Sequence, residues 1–161
     1  MIKHATTEDL PIIMHLIEEG RKKMIAQGNT RQWTKGHPTQ EQVLEDISRG
    51  NSYLIMENDE AVCTFALVAG PDETYAKIYD GSWPNDAPYY VIHRVASSPS
   101  ARGMMRQILD YAFTKASTIR IDTHEDNHTM RCLLEKNGFT YCGIIHLANG
   151  DPRLAFAKTI T

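Results

Sequence analysis

Apolar residues recur along this chain with two different periods. Leu10, Ile13, Met14, Ile17, Met24 and Ile25 fall near the 3.6-residue spacing of an amphipathic helix. Thr6 or Thr7 serves as its N-cap, Glu8 and Asp9 place negative charge in the first turn, and the pattern fades by Gly28. A short strand over residues 1–5 precedes it. Residues 29–38, with Trp33, Gly36 and Pro38, read as a loop. A second helix is expected from about Thr39, which has capping-box spacing to Gln42; Val43, Leu44 and Ile47 form its apolar face and Gly50 closes it.

The period then shortens to two. Residues 52–56 and 61–69 flank the turn ENDE at 57–60 and predict a hairpin. Residues 70–88 carry Pro71, Pro84 and Pro88 and read as an ordered surface excursion. Residues 89–96 (YYVIHRVA) are almost continuous β-formers, the pattern of a buried strand. A helix follows over 102–116, with Met104, Met105, Ile108, Leu109, Ala112 and Ala116 on one face. Then come a strand at 119–123, a helix at 126–137 ended by Gly138, and strands at 139–146 and 153–157 around a turn at 149–151. Strand–helix–strand–helix–strand order over 89–146 predicts crossover connections and parallel neighbours.

A chain of 161 residues suits a single domain over 1–161. With a net charge of -3 and no dense Lys/Arg block, nucleic acid and anionic membrane are poor partners. Cys63, Cys132 and Cys142 form no CxxC and sit in or beside apolar runs, as small hydrophobes do in a reducing compartment. No run approaches membrane-spanning length and no leader pattern opens the chain, so the expected location is the cytoplasm.

The segment with chemical content runs from Val95 to Met105 (VASSPSARGMM). A buried strand passes through a small-residue loop into a helix near Gly103. The first helical turn leaves backbone N–H groups without partners at the positive end of the macrodipole, and Gly lets a diphosphate come close. Many such turns bind nothing, so the loop alone does not decide the matter.

The surrounding order resembles the GNAT family of N-acetyltransferases over nearly the whole chain. The resemblance is carried by Ser100-Ala101-Arg102-Gly103-Met104-Met105 at the place of the family's Arg/Gln-x-x-Gly-x-Gly/Ala loop. It is carried also by Asn127-x-x-Met130, by Glu135-Lys136-Asn137-Gly138-Phe139, and by residues 149–156 (NGDPRLAF). Ser100 stands where the family has Arg or Gln, Met105 where it has Gly or Ala, and Leu134 where many members place Tyr. Spacing with Leu109 and Ala112 predicts that Met105 points into the core.

The resemblance implies an α/β GNAT fold: a mixed, mostly antiparallel sheet of six or seven strands with a splayed parallel pair and helices on both faces. It implies acetyl transfer from acetyl-coenzyme A, as co-substrate and without a metal, to an amine attacking directly in a ternary complex. The cofactor would lie along Val95 and Ser97, with its diphosphate at Ser100, Ala101, Arg102, Gly103, Met104 and Met105, and with Asn127 facing it. A small-molecule or peptide amine is the implied partner, and a homodimer is compatible with it.

Strand alternation puts Tyr89, Val91, His93 and Val95 on one face. His93 is then either the general base or a hydrogen-bonded core residue beside Arg94; imidazole suits the first role. Tyr141 is either the acid that reprotonates the leaving thiolate or a plain strand residue, with water as the alternative. Trp33, Trp83, Asp80 and Asp86 lie in the irregular regions where the family builds its acceptor pocket. Two other readings stand beside this one: a coenzyme A-binding module without turnover, and a zinc hydrolase through His124-Glu125-x-x-His128 (HExxH). The second requires both histidines on one helical face, whereas Asp126 and Asn127 suit a helix start.

Overall fold

The protein is described here by a computed structural model covering residues 1–34 and 36–161; residue 35, within the expected loop 29–38, lies outside the described residues. Among the described residues seven strands are present: β1 (Ile2–His4), β2 (Ser52–Glu57), β3 (Glu60–Ala69), β4 (Tyr90–Ser97), β5 (Thr118–Thr123), β6 (Thr140–His146) and β7 (Pro152–Thr159). Four α-helices accompany them among the described residues: α1 (Leu10–Ala26), α2 (Gln40–Ser48), α3 (Met104–Ala112) and α4 (His128–Lys136). The strands form one sheet in the order β1-β2-β3-β4-β5-β7-β6.

Local chemistry explains the helix ends. Thr39 Oγ1 accepts from Gln42 N at 3.1 Å while Thr39 N donates to Gln42 Oε1 at 2.9 Å, closing the capping box that starts α2. Asn127 Oδ1 caps α4 by accepting from Met130 N at 3.1 Å. Gly138, at φ +85°, ends α4 in the left-handed region while Phe139 N returns to Leu134 O at 2.9 Å. α3 is shorter than its periodicity predicts, closing at Ala112, after which residues 113–115 turn toward β5.

One face of the sheet packs Phe65, Leu67, Ile92, Ile119 and Ile121 against Met104, Ile108 and Leu109 of α3 and Leu134 of α4. The other face packs Leu54 and Ala96 against Ile13, Leu16 and Ile17 of α1 and Val43 of α2. Each fully buried Ile or Leu contributes about 2 kcal/mol relative to exposure. Helices therefore cover both faces, and α1 crosses β4 closely. A Cβ on Gly20 would stand 3.1 Å from Ala96 Cβ and 3.2 Å from the Trp33 ring.

All strand pairs are antiparallel except β4 and β5, which run parallel. The expected parallel pairing extends no further, because β7 inserts between β5 and β6 and pairs antiparallel with both. The β4–β5 pairing holds only at Tyr90↔Ile119 and Val91↔Arg120; beyond these residues the two strands part.

Candidate active site

The strand that borders the gap is itself irregular. Ala66 pairs with His93 and Thr64 with Ala96, so Arg94 and Val95 of β4 both face the stretch holding Phe65. Arg94 absorbs the extra residue at φ +53°, in the left-handed region. This bulge corrects the alternation expected from sequence. Val91 packs with Tyr75 and Ala155, whereas Val95 packs on the opposite, α3-covered core with Ile92. His93 and Val95 therefore lie on opposite faces, one on each side of the parted sheet.

A cavity of about 440 Å³ runs through this opening. From the α3 side it is lined by Ile92, Val95, Ile121 and Met130, and from the other side by Asp72, His93, Asp122 and Arg153. Trp33 and its neighbours in the α1–α2 loop form a third wall. Gln32 ties that loop to the end of β5: its Oε1 accepts from Asn127 Nδ2 at 2.9 Å and from Thr123 Oγ1 at 3.3 Å.

His93 stands at the centre of the second wall, with Nε2 3.3 Å from Asp72 Oδ2. Asp72 is fixed from several directions. Its Oδ1 accepts from Thr74 N at 2.8 Å and Thr74 Oγ1 at 2.6 Å, and its backbone N–H donates to Tyr89 Oη at 2.9 Å. The His93 hydrogen bond, with those from Thr74, holds the Asp72 carboxyl down at about 2. With Nε2 engaged, Nδ1 is the ring nitrogen that forms no hydrogen bond among the described residues.

Further along, Tyr75 Oη donates to Asp122 Oδ2 at 2.7 Å. Burial, and then the Asp122 charge, keep the Tyr75 phenol protonated well above its usual range. Arg153 is buried at 6% exposure; burial pulls its pKa down, and Asp122 and Asp151 oppose that pull.

The loop that the family resemblance assigns to the diphosphate leads into α3, with Gly103 as its N-cap at φ +71°. A Cβ on Gly103 would meet nothing within 4 Å, so the mouth of the helix is open. Met104 and Met105 are buried in the core under α3, away from that mouth. Arg102 donates to Pro99 O at 3.0 Å and Ala101 O at 2.9 Å, bracing the loop that also holds Ser100. Ser97 Oγ receives Lys23 Nζ at 3.4 Å from α1.

The remaining predicted residues are dispersed. Asn127 lines the cavity, but its side chain is occupied as the α4 cap and by Gln32. Tyr141 lies on β6 with its ring against Phe156, 48% exposed and outside the cavity lining; the fold does not bring it to His93. Trp33 lines the cavity, while Trp83 supports the excursion by donating Nε1 to Tyr75 O at 2.9 Å. Asp80 and Asp86 are exposed and line no part of the cavity. His124 precedes α4 and receives Asp126 N on Nδ1 at 2.9 Å, while His128 is the first residue of α4. HExxH therefore does not place its two histidines on one turn of helix.

A GNAT-family acetyltransferase from Streptococcus agalactiae superposes on this fold with a TM-score of 0.90 at 33% identity, covering 100% of this chain and 95% of that one. The chain belongs to the GNAT family of acetyltransferases. Another GNAT-family acetyltransferase, from Listeria monocytogenes, aligns at a TM-score of 0.72 and 19% identity over 99% of this chain and 94% of that one. AAC(6')-Ib in complex with ribostamycin and coenzyme A aligns at 0.65 and 21% over 99% and 92%. These two show the fold alone. No family model matches the chain, and no curated protein sequence matches it. In this GNAT fold the parted β4–β5 pair and the α3 mouth lie where the family resemblance anticipated them. Asp72, Asp122 and Arg153 were not anticipated. The one local sign of Asp72 was the Asp-x-Thr spacing of a side-chain-capped turn.

Proposed function

We propose that this protein is an acetyl-coenzyme A-dependent N-acetyltransferase in which His93, oriented by Asp72, is the general base. The supporting observation is the cavity that passes through the parted sheet, with the His93–Asp72 pair on one side and the strand leading to the α3 mouth on the other. One fold neighbour, AAC(6')-Ib, is bound to coenzyme A, an analogy at the level of fold.

The residues present fit that cofactor. The α3 mouth offers unpartnered N–H groups beside an open Gly103, and Met105 does not obstruct it. Val95, Ser97, Ser100, Ala101, Arg102, Gly103, Met104, Met105 and Asn127 are the proposed cofactor contacts, mostly through backbone. Acetyl-coenzyme A, when bound, supplies a thioester carbonyl carbon to the amine and a sulfur that leaves.

The protein's part is to deprotonate and to orient. A free alkylamine has a pKa of about 10.4 and is mostly protonated at neutral pH. Asp72 accepts a hydrogen bond from Nε2–H, which leaves the Nδ1 lone pair to take a proton from the protonated amine. Backbone N–H groups beside the bulge, at Val95, are the proposed donors to the developing oxyanion. Tyr141 lies outside the cavity, so proton return to the leaving sulfur is assigned to solvent.

Calorimetry with coenzyme A and thiol release across a panel of amines test the reading. Replacing His93 with Gln is expected to lower kcat about 100-fold while leaving coenzyme A affinity within about twofold. Binding without thiol release from any amine would leave a coenzyme A-binding module; absence of both would remove the reading altogether.

A further inference from the structure

Building on that reading, we infer that the acceptor amine also carries a carboxylate, held by the Arg153 guanidinium, so that the substrate is an amino acid rather than a polyamine or an amino sugar. The inference starts from how the cavity's charges are engaged; Arg31, which also lines it, is exposed. Asp72 is held by His93 and Thr74, Asp122 by Tyr75, and Asp151 accepts from Asn149 Nδ2 at 3.2 Å. Arg94 is paired with Asp46. Arg153 differs from all of these. Its one hydrogen bond is from Nη1 to the carbonyl of adjacent Pro152, at 2.9 Å, and it forms no ion pair among the described residues.

A guanidinium at 6% exposure with most of its donors unused is costly unless something fills them. The side chain lines the cavity, and its free nitrogens are not among the atoms sealed from solvent. Those donors are therefore available to an occupant. Arginine's fixed fork matches a carboxylate with two parallel hydrogen bonds.

Position supports the same conclusion. Arg120, Asp122 and Arg153 are turned away from the α3-covered core, the side on which His93 meets Asp72. In the order β4-β5-β7, that face presents His93, Asp122 and Arg153 on successive strands. Paired strands lie about 4.8 Å apart, which brings Asp122 and Arg153 near each other across β5 and β7, while His93 faces them across the cavity that opens where β4 and β5 part. A zwitterion satisfies both signs: its ammonium is drawn toward Asp122 and His93, and its carboxylate toward Arg153. A polyamine would bring several cations to a buried arginine and leave the fork empty.

The test compares each common amino acid with its amide, and includes spermidine, by thiol release with the full chain and acetyl-coenzyme A. At least one amino acid is expected to exceed its amide in kcat/KM by about 10- to 100-fold, the worth of a charge-assisted pair. Arg153→Gln should bring that ratio close to one, and Arg153→Lys should restore it only in part. In case the variants fold poorly, the wild-type Arg153 Nε–H resonance should shift on addition of at least one member of a panel of N-acetyl amino acids, and not with the corresponding amides, without cofactor. Acetylation that favours amides or spermidine, or a ratio unchanged in Arg153→Gln, would overturn the inference while leaving acetyl transfer intact. Absence of thiol release with every amine counts against the acetyltransferase reading instead, and the resonance still decides whether Arg153 takes a carboxylate.

Discussion

Arg94, in the left-handed region of β4, is held by Asp46 of α2 through two hydrogen bonds, from Nε at 2.7 Å and from Nη2 at 2.8 Å. A non-Gly residue in that conformation costs about 1 kcal/mol or more and persists only where its surroundings determine it. Here the clamp fixes the residue between His93 and Val95, and so fixes the irregularity that puts them on opposite faces of the sheet.

The clamp yields a measurable coupling. Asp46 is 8% exposed, so its removal leaves a half-buried guanidinium without its partner. Asp46→Ala is expected to destabilise by about 3 kcal/mol. A double-mutant cycle with Arg94→Ala should return a coupling of about 2 kcal/mol by urea unfolding. Additive losses would mean that the bulge is held by packing alone.

The proline-rich excursion over 70–88 is expected to behave as part of the sheet. Tyr79 and Ile144 exchange both backbone hydrogen bonds at 2.8 Å, which fastens the excursion to β6. Gly81 lies against the Cys142 carbonyl, so closely that any Cβ there collides with backbone. Gly81→Ala should therefore cost about 3 kcal/mol, or about 10 °C in Tm for a domain of this size. Gly150→Ala is the control: a Cβ there meets nothing within 4 Å, and the φ of +92° alone costs about 1 kcal/mol. Equal effects at the two positions would contradict the close approach.

The contrast between these elements shows what the sequence could and could not reveal. The apolar face of α3, the capping box of α2 and the Gly138 terminus were legible because each depends on residues a few positions apart. The bulge at Arg94 was not, since arginine carries no preference for positive φ and the cause, Asp46, lies 48 residues away. Insertion of β7 between β5 and β6 was equally hidden, because order in a sheet is set by long-range pairing. The site divided along the same line. His93 and the Gly103 loop could be singled out locally, whereas Asp72 and Arg153 line the cavity only because three strands and the excursion come together.

The Asp72–His93 bond also has a signature in stability. Asp72 titrates at about 2 in the folded protein against an ordinary 3.8, with its hydrogen bond to His93 the leading cause. A depressed carboxyl stabilises the fold when ionised in both states, so its contribution is complete above pH 3.8. It is lost as pH falls from there through about 2, where folded and unfolded chains come to bind the proton alike. The shift corresponds to about 2 kcal/mol at neutral pH. Asp72→Asn keeps an oxygen for Thr74 but presents an amide to His93 in place of the charge. Wild type should therefore exceed the variant by about 2 kcal/mol at pH 6 in urea unfolding, and the gap should narrow steadily between pH 4 and pH 2. Titration of the Asp72 side-chain carbon by NMR supplies an independent check, since its midpoint should fall near 2 in wild type and rise toward 3.8 in His93→Gln. A gap that stays constant across this range, or a midpoint unaffected by the loss of His93, would assign the stabilisation to Thr74 and the turn rather than to the histidine.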